Sequence, residues 1–354
     1  VQVAAKAEAV VYELDPLSDT RWDDFVHAHP QASVFHSTNW LRALRDTYGY
    51  QPSVLCTSAP GKPLTSGWVF CRVKSWLTGN RIISLPFSDH CEALVDTVEE
   101  RDAILQSFKG FVETQGWDYV ELRPIREMDR QNSDFQACAT YLRHVIDLSK
   151  SSDALFRRFH KDCIQRKIRR AERESLSYEV GNSAALLSSF YKLFVMTRCR
   201  FHMPPQPYIW FEQLAAAFGD QLQIRLASYR GRPAAAMLTL KDGRTALYKY
   251  GCTDIHLNRL GGMPFLFWRA IEESKHEQLE SFDLGRSDID NAGLITFKDR
   301  LGAESEVVRY QKFPAPGQGE RVAKSSRGLG RMLLRFMPER GLRIVGRALY
   351  PHIA

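Results

Sequence analysis

The chain carries no Cys-x-x-Cys pair and no cluster of Cys and His at metal-ligand spacing. That pattern argues against a zinc site and a disulfide framework. Its seven cysteines, at 56, 71, 91, 138, 163, 199 and 252, are scattered and odd in number. They read as reduced core thiols of a cytoplasmic protein with no bound metal. No apolar run approaches the roughly 18–20 residues needed to span a bilayer. Val1 to Leu17 lacks the apolar centre of a signal peptide, because Ala9-Val10-Val11-Tyr12 is only of strand length. No heptad insertion appears after Glu174, so a coiled-coil arm is not expected, and no sequence-level repeat is present, so any duplication is structural only.

What the chain does have is unevenly placed charge. Over 354 residues the net charge is +7. Leu155–Arg173 alone carries a local +6, from basic residues at 157, 158, 161, 166, 167, 169, 170 and 173. Arg321–Ala354 carries a local +7, from 321, 324, 327, 331, 335, 340, 343 and 347. Two basic segments therefore sit on an acidic body, which points to anionic partners: phosphates, nucleic acid or a membrane surface.

Periodicity gives an α+β chain. Helices are expected at Thr20–His29, Asn39–Tyr48 (capped by Ser37 or Thr38), Glu99–Gln115, Ala184–Arg200, Trp210–Phe218 and Phe265–Lys275. A single long basic helix is expected from Ser152 or Asp153 to Glu174. Strands are expected at 53–57, 67–73, 81–85, 119–124, 143–148, 177–180, 222–229, 234–241, 245–251, 281–284 and 307–313. The length suits two domains of about 150–200 residues, at 1–150 and 151–313. A basic tail, 314–354, follows. In that tail Leu329, Met332, Leu333 and Phe336 share one helical face, and Leu342, Val345 and Leu349 make a second stripe. Such helices lie on anionic membranes or pack on the protein body.

The densest group of reactive side chains follows the strand Phe282-Asp283-Leu284-Gly285-Arg286. A glycine-marked loop then leads to Phe297-Lys298. A strand end exposing an acid, an arginine and a lysine suggests a ligand site; a salt-bridged turn is the plainer alternative.

Asn258-Arg259-Leu260-Gly261-Gly262-Met263-Pro264, between a strand and a helix, resembles the pyrophosphate loop of GNAT acyltransferases, with proline at its last position. The backbone amides of Gly261 and Gly262, with Arg259, would hold the pyrophosphate of coenzyme A. More of the chain, residues 20 to 313, resembles the Fem-like branch of that superfamily. The resemblance rests on four segments: His29-Pro30 through His36 with Trp40, Leu85-Pro86-Phe87, Arg166-Lys167-Ile168-Arg169-Arg170-Ala171, and Phe282-Asp283-Leu284-Gly285-Arg286 with Phe297-Lys298-x-x-x-Gly302.

The resemblance implies two tandem GNAT-like domains, each a mixed, mostly antiparallel sheet flanked by helices. It implies transfer of an acyl or aminoacyl group to an amine of a cell-envelope or polysaccharide precursor. The donor would be an acyl-CoA or an aminoacyl-tRNA, with no tightly bound cofactor. Lys298 would stabilise the developing oxyanion, Arg286 would be the second cation, and Asp283 would accept the amine proton or pair with Arg286. Arg123, Arg198, Arg200, His202, Tyr208 and Phe297 are the candidates for holding the acceptor, which would be small or lipid-linked. Contact of residues 321–354 with the inner face of a membrane fits the same scheme. A non-catalytic scaffold that grips an anionic polymer or membrane through the basic segments stands as the alternative.

Overall fold

The computed structural model describes residues 9–126, 134–314 and 337–353. It divides into two compact units. One holds the described residues through Ala139, those from Val308 to Pro314, and those from Pro351 onward. The other holds Thr140–Val307 and the described residues up to Tyr350.

The first unit contains β1 (Tyr12–Leu14), α1 (Arg21–Ala28), α2 (Thr38–Tyr48), β2 (Gln51–Cys56), β3 (Trp68–Ser75), β4 (Gly79–Ile83), α3 (Val98–Gln115) and β5 (Tyr119–Leu122). Local chemistry sets the helix ends. Ser37 accepts the amide of Trp40 to start α2, and Gly49 closes it at φ 72°. Thr97 and Glu100 form a reciprocal capping box on α3, which Gly116 closes at φ 74°. The strands run β1-β2-β3-β4-β5, with the last residues of β12 (Glu304–Pro314) beside β5. Among the described residues only β4 and β5 are parallel, with α3 as the crossover between them. The core gathers Trp68, Phe70, Ile104, Phe108, Phe111 and Val120. The Trp68 and Phe108 rings meet edge to face at 5.6 Å.

The second unit repeats that plan. It holds β6 (Gln136–Asp147, from Thr140), α4 (Ser152–Arg158), α5 (Arg166–Arg173), β7 (Ser177–Gly181), α6 (Ala184–Arg200), α7 (Tyr208–Phe218), β8 (Leu222–Tyr229) and β9 (Arg232–Asp242). After these come β10 (Thr245–Thr253), α8 (Gly262–His276), β11 (Ser281–Asp288), α9 (Ala292–Arg300) and α10 (Glu339–Leu349). The strand order is β6-β11-β10-β9-β8-β7. Again one pair is parallel, β10 with β11, and a helix, α8, crosses between them. Leu266, Ile271, Phe282, Leu284 and Met237 are the buried centre of this unit.

Two expectations change, and one open alternative is decided. The basic segment is not one helix. α4 stops at Phe159 and His160, which are extended, and a five-residue π-helical turn, Lys161–Gln165, precedes α5. The amide of His160 bonds the carbonyl of Arg300, and Gly302 packs against Arg158 so closely that a Cβ there would lie 2.9 Å from the Arg158 Cβ. A tertiary contact breaks the helix. Second, Phe297 and Lys298 lie on α9, a helix not among those expected, which Asn291 caps through the amide of Leu294 and which takes up most of the expected glycine-marked loop. Third, the stripe of Leu342, Val345 and Leu349 turns inward against α6, with Leu342 1% exposed. Tyr350, just past α10, donates to the Pro204 carbonyl at 3.1 Å and accepts from Arg198 at 2.7 Å. Leu329, Met332, Leu333 and Phe336 lie outside the described residues.

Candidate active site

The second unit's site begins where its parallel pair ends. β10 and β11 pair over Thr245–Leu247 against Ser281–Asp283, although β10 continues to Thr253 and β11 to Asp288. Immediately past that pairing both strands are bulged. β10 shifts register against β9 between Tyr248 and Tyr250, and β11 shifts against β6 between Asp283 and Arg286. Bulges re-aim backbone and side chains, and they concentrate next to active sites.

Asp283, Gly285, Arg286 and Lys298 are built into the β11 bulge. Asp283 is 2% exposed. One of its oxygens accepts from Arg143 Nε at 2.7 Å and the other from the Gly285 amide at 2.7 Å. Arg143 also pairs with Glu306. Burial works against the charge on Arg143, yet Asp283 and Glu306 outweigh it and its pKa rises. Gly285 sits at φ 68°, a left-handed conformation that glycine enters without a Cβ penalty. Its carbonyl and that of Arg286 receive the Lys298 ammonium at 2.8 and 3.2 Å. Lys298 is itself 2% exposed. The Arg286 guanidinium stacks 4.1 Å from the centroid of the Tyr141 ring.

Sequence reasoning passed over His144, which is fully buried beside this bulge. Its Nε2 lies 3.2 Å from Asp299 Oδ1. Burial depresses its pKa, and the charge of Lys298 depresses it further, against the pull of Asp299. The charged imidazolium is therefore disfavoured there. Its partner is 155 residues away in the chain, so no local motif marks it.

The glycine loop lies at the start of α8. Gly261 is the N-cap at φ 83° and supplies no side-chain cap. A Cβ on it would fall 2.3 Å from the Lys167 carbonyl of α5, and one on Gly262 would fall 3.0 Å from the Ala235 Cβ of β9. Two glycines thus let the loop sit tightly between α5 and the sheet. Arg259 is exposed. Pro264 occupies the first turn, where its missing amide costs no helix hydrogen bond.

The candidate acceptor residues fall elsewhere. Arg198 lies at the end of α6, bonded to Tyr350; Arg200 stacks 4.8 Å from the Phe201 ring. His202 is exposed and at φ 52°. Tyr208, at the start of α7, packs its ring 4.9 Å from Tyr191. Phe297 reaches from α9 to Phe267 at 5.6 Å. Arg123 belongs to the other unit. It is buried, donates to the carbonyls of Leu85 (2.7 Å) and Ser88 (3.3 Å), pairs with Glu121 and stacks on Tyr310.

Comparison with known proteins agrees with this architecture. Residues 157–298 match the model of the acetyltransferase (GNAT) domain. The UDP-N-acetylmuramoylpentapeptide-lysine N(6)-alanyltransferase of Weissella viridescens is 31% identical over 111 residues, which is 31% of this chain and 33% of that protein. The aligned segment thus spans a third of that relative's length. The crystal structure of FemX superposes with a TM-score of 0.68 at 13% identity, covering 86% of this chain and 97% of that one. A tandem GNAT protein from the clavulanic acid biosynthesis pathway gives 0.55 at 11% identity, over 86% and 98%. With the parallel pair, its crossover helix and the glycine loop present in the second unit, and the same strand plan in the first, the chain has a tandem GNAT-like fold, carries a match to the GNAT acetyltransferase domain over residues 157–298, and is similar to the Weissella alanyltransferase and to FemX.

Proposed function

We propose that the chain transfers an acyl or aminoacyl group to an amine of a cell-envelope precursor. The observation that carries this reading is the junction of the bulged β10/β11 pair with Lys298. A thioester or ester carbonyl acquires negative charge when the amine attacks. A preorganised cation in a dry site is the largest expected source of stabilisation for it. Lys298 is buried, and two backbone carbonyls aim its ammonium. We assign it that role. Arg286, stacked on Tyr141, is the second cation. Both Asp283 oxygens are engaged, by Arg143 and by the Gly285 amide. We therefore assign Asp283 to holding the bulge in shape and relaying the amine proton only through water.

The Gly261 amide, expected to hold the phosphate, donates instead to the Asn258 carbonyl at 3.2 Å, so the donor phosphate would meet the amides of Gly262 and Met263 at the α8 start, with Arg259 beside it. The Weissella relative, by its name an alanyltransferase acting on the lysine of a UDP-N-acetylmuramoylpentapeptide, favours an aminoacyl donor and an envelope acceptor; the glycine loop favours a coenzyme A thioester. Arg198, Arg200, His202 and Tyr208 are assigned to acceptor binding.

Lys298→Met keeps the volume and removes the charge. We expect a loss of at least about 10²-fold in turnover, with near-unchanged circular dichroism. A thermal-shift series with acetyl-CoA, longer acyl-CoAs, free coenzyme A and aminoacyl-tRNA identifies the donor class. Unimpaired turnover by folded Lys298→Met would reject the assignment. Salt-sensitive polyanion binding without transfer from any donor would favour a scaffold instead.

A further inference from the structure

α10 has two unlike faces. Its inner face is accounted for: Leu342 is buried against α6, and Gly346 is needed because a Cβ there would lie 2.1 Å from the Pro205 carbonyl. Its outer face carries Arg340, Arg343 and Arg347, all exposed, around Ile344, which is 72% exposed; Arg343, at the edge of this face, also pairs with Glu339 and lies 5.8 Å from the Tyr191 ring of α6. Helical geometry puts these four within about one third of the circumference. Pro204 and Pro205, on which α10 rests, directly follow Phe201, His202 and Met203. Phe201 is 60% and Met203 43% exposed, and the Arg200 guanidinium lies over the Phe201 ring.

We infer that the outer face of α10, with the adjoining Phe201–Met203 turn, docks the protein on an anionic phospholipid surface. Charge and apolarity together select this partner. Arginines alone would suit any polyphosphate. Ile344, Phe201 and Met203 gain nothing from a phosphate backbone, whereas they gain free energy by entering the boundary between headgroups and acyl chains. The arginines then sit at the level of the lipid phosphates, where each adds attraction within a Debye length of the surface. Among the described residues no helix is long and apolar enough to cross a membrane, so the contact is peripheral. This inference rests on the surface of the second unit; it adjoins the turn assigned to acceptor binding, and the variants that test it lie on α10, outside that turn and the Lys298 site.

The test is co-sedimentation of the full chain with vesicles of phosphatidylglycerol and phosphatidylcholine, and with vesicles of phosphatidylcholine alone. The first should bind and the second should not, with binding weakened by 0.5 M salt. Ile344→Asp combined with Arg347→Gln should weaken binding at least about tenfold, with an unchanged melting temperature. Ile344→Ser alone, which leaves the charge intact, should weaken it less. Turnover on a water-soluble acceptor should be unaffected, so a failure here is distinguishable from a failure of the proposed activity. Absent binding, equal binding to both vesicles, or binding indifferent to the double variant would overturn the inference. Binding of an RNA duplex lost in Arg347→Gln but kept in Ile344→Ser would overturn it in favour of a nucleic acid.

Discussion

Gly261 shows how much one residue decides. Its positive φ and its approach to the Lys167 carbonyl exclude any side chain. Gly261→Ala would force a left-handed alanine and a 2.3 Å contact with backbone. We expect a cost of about 1–3 kcal/mol, measured as a drop in the urea midpoint, and a parallel loss of donor affinity in the thermal-shift series. An unshifted midpoint would mean the loop relaxes without strain. Glycine at 261 was legible from the motif. Its neighbour in space, Lys167, was not, because that contact joins α5 to the α8 start across 94 residues of chain (261 − 167). The same holds for Asp283. Its place beside Gly285 is written in the local Asp-x-Gly order, whereas its ion pair with Arg143 spans 140 residues.

At the scale of elements, patterns confined to one helix were readable. Ser37, one of the two caps expected for α2, acts within four residues of the end it sets; the Thr97/Glu100 box on α3 is just as local, yet the expected helix begins at Glu99 with no cap named. Thr97→Ala removes one half of the capping box and should cost about 1 kcal/mol; a chemical-denaturation difference near zero would show that Glu100 suffices. Helix breaks were not readable. The run from Ser152 to Glu174 has helical periodicity throughout, and it bends because His160 bonds Arg300. α9 was hidden for the opposite reason. Its start, Asp290-Asn291-Ala292-Gly293, looks like a turn, and the Asn291 cap appears only once Leu294 is helical.

At the scale of the molecule, acid stability is set by buried imidazole. In the first unit His36 is fully buried, accepts the Ser33 amide at Nδ1 and donates from Nε2 to the Glu92 carbonyl. Burial pushes its pKa down to about 4. The unfolded chain binds a proton near pH 6.5 and the folded one does not, so the unfolded state holds more protons between those values and stability rises with pH. The contribution is whole above about pH 6.5 and is lost as pH falls toward 4, amounting to about 3 kcal/mol. His36→Gln should flatten the denaturation midpoint across that window. A slope equal to that of the parent would assign the acid response to other groups. His144 in the second unit adds a change of the same sign, because burial and Lys298 also depress it.

The sequence by itself determined the α+β class, most helix and strand positions, the glycine loop, and the gathering of Asp283, Arg286 and Lys298 within one short stretch. These follow from periodicities and caps that act over a few residues, and from motifs whose spacing is covalent. Tertiary structure alone decided what those residues face: Lys298 turned onto the carbonyls of Gly285 and Arg286, Asp283 tied to Arg143, His144 set beside Asp299, and α10 laid with its arginines outward. Each of these depends on segments far apart in the chain being brought together by the burial of the sheet's apolar faces. That burial is a collective, non-directional force. It leaves no local signature, so the partners it brings together are decided only when the whole sheet closes.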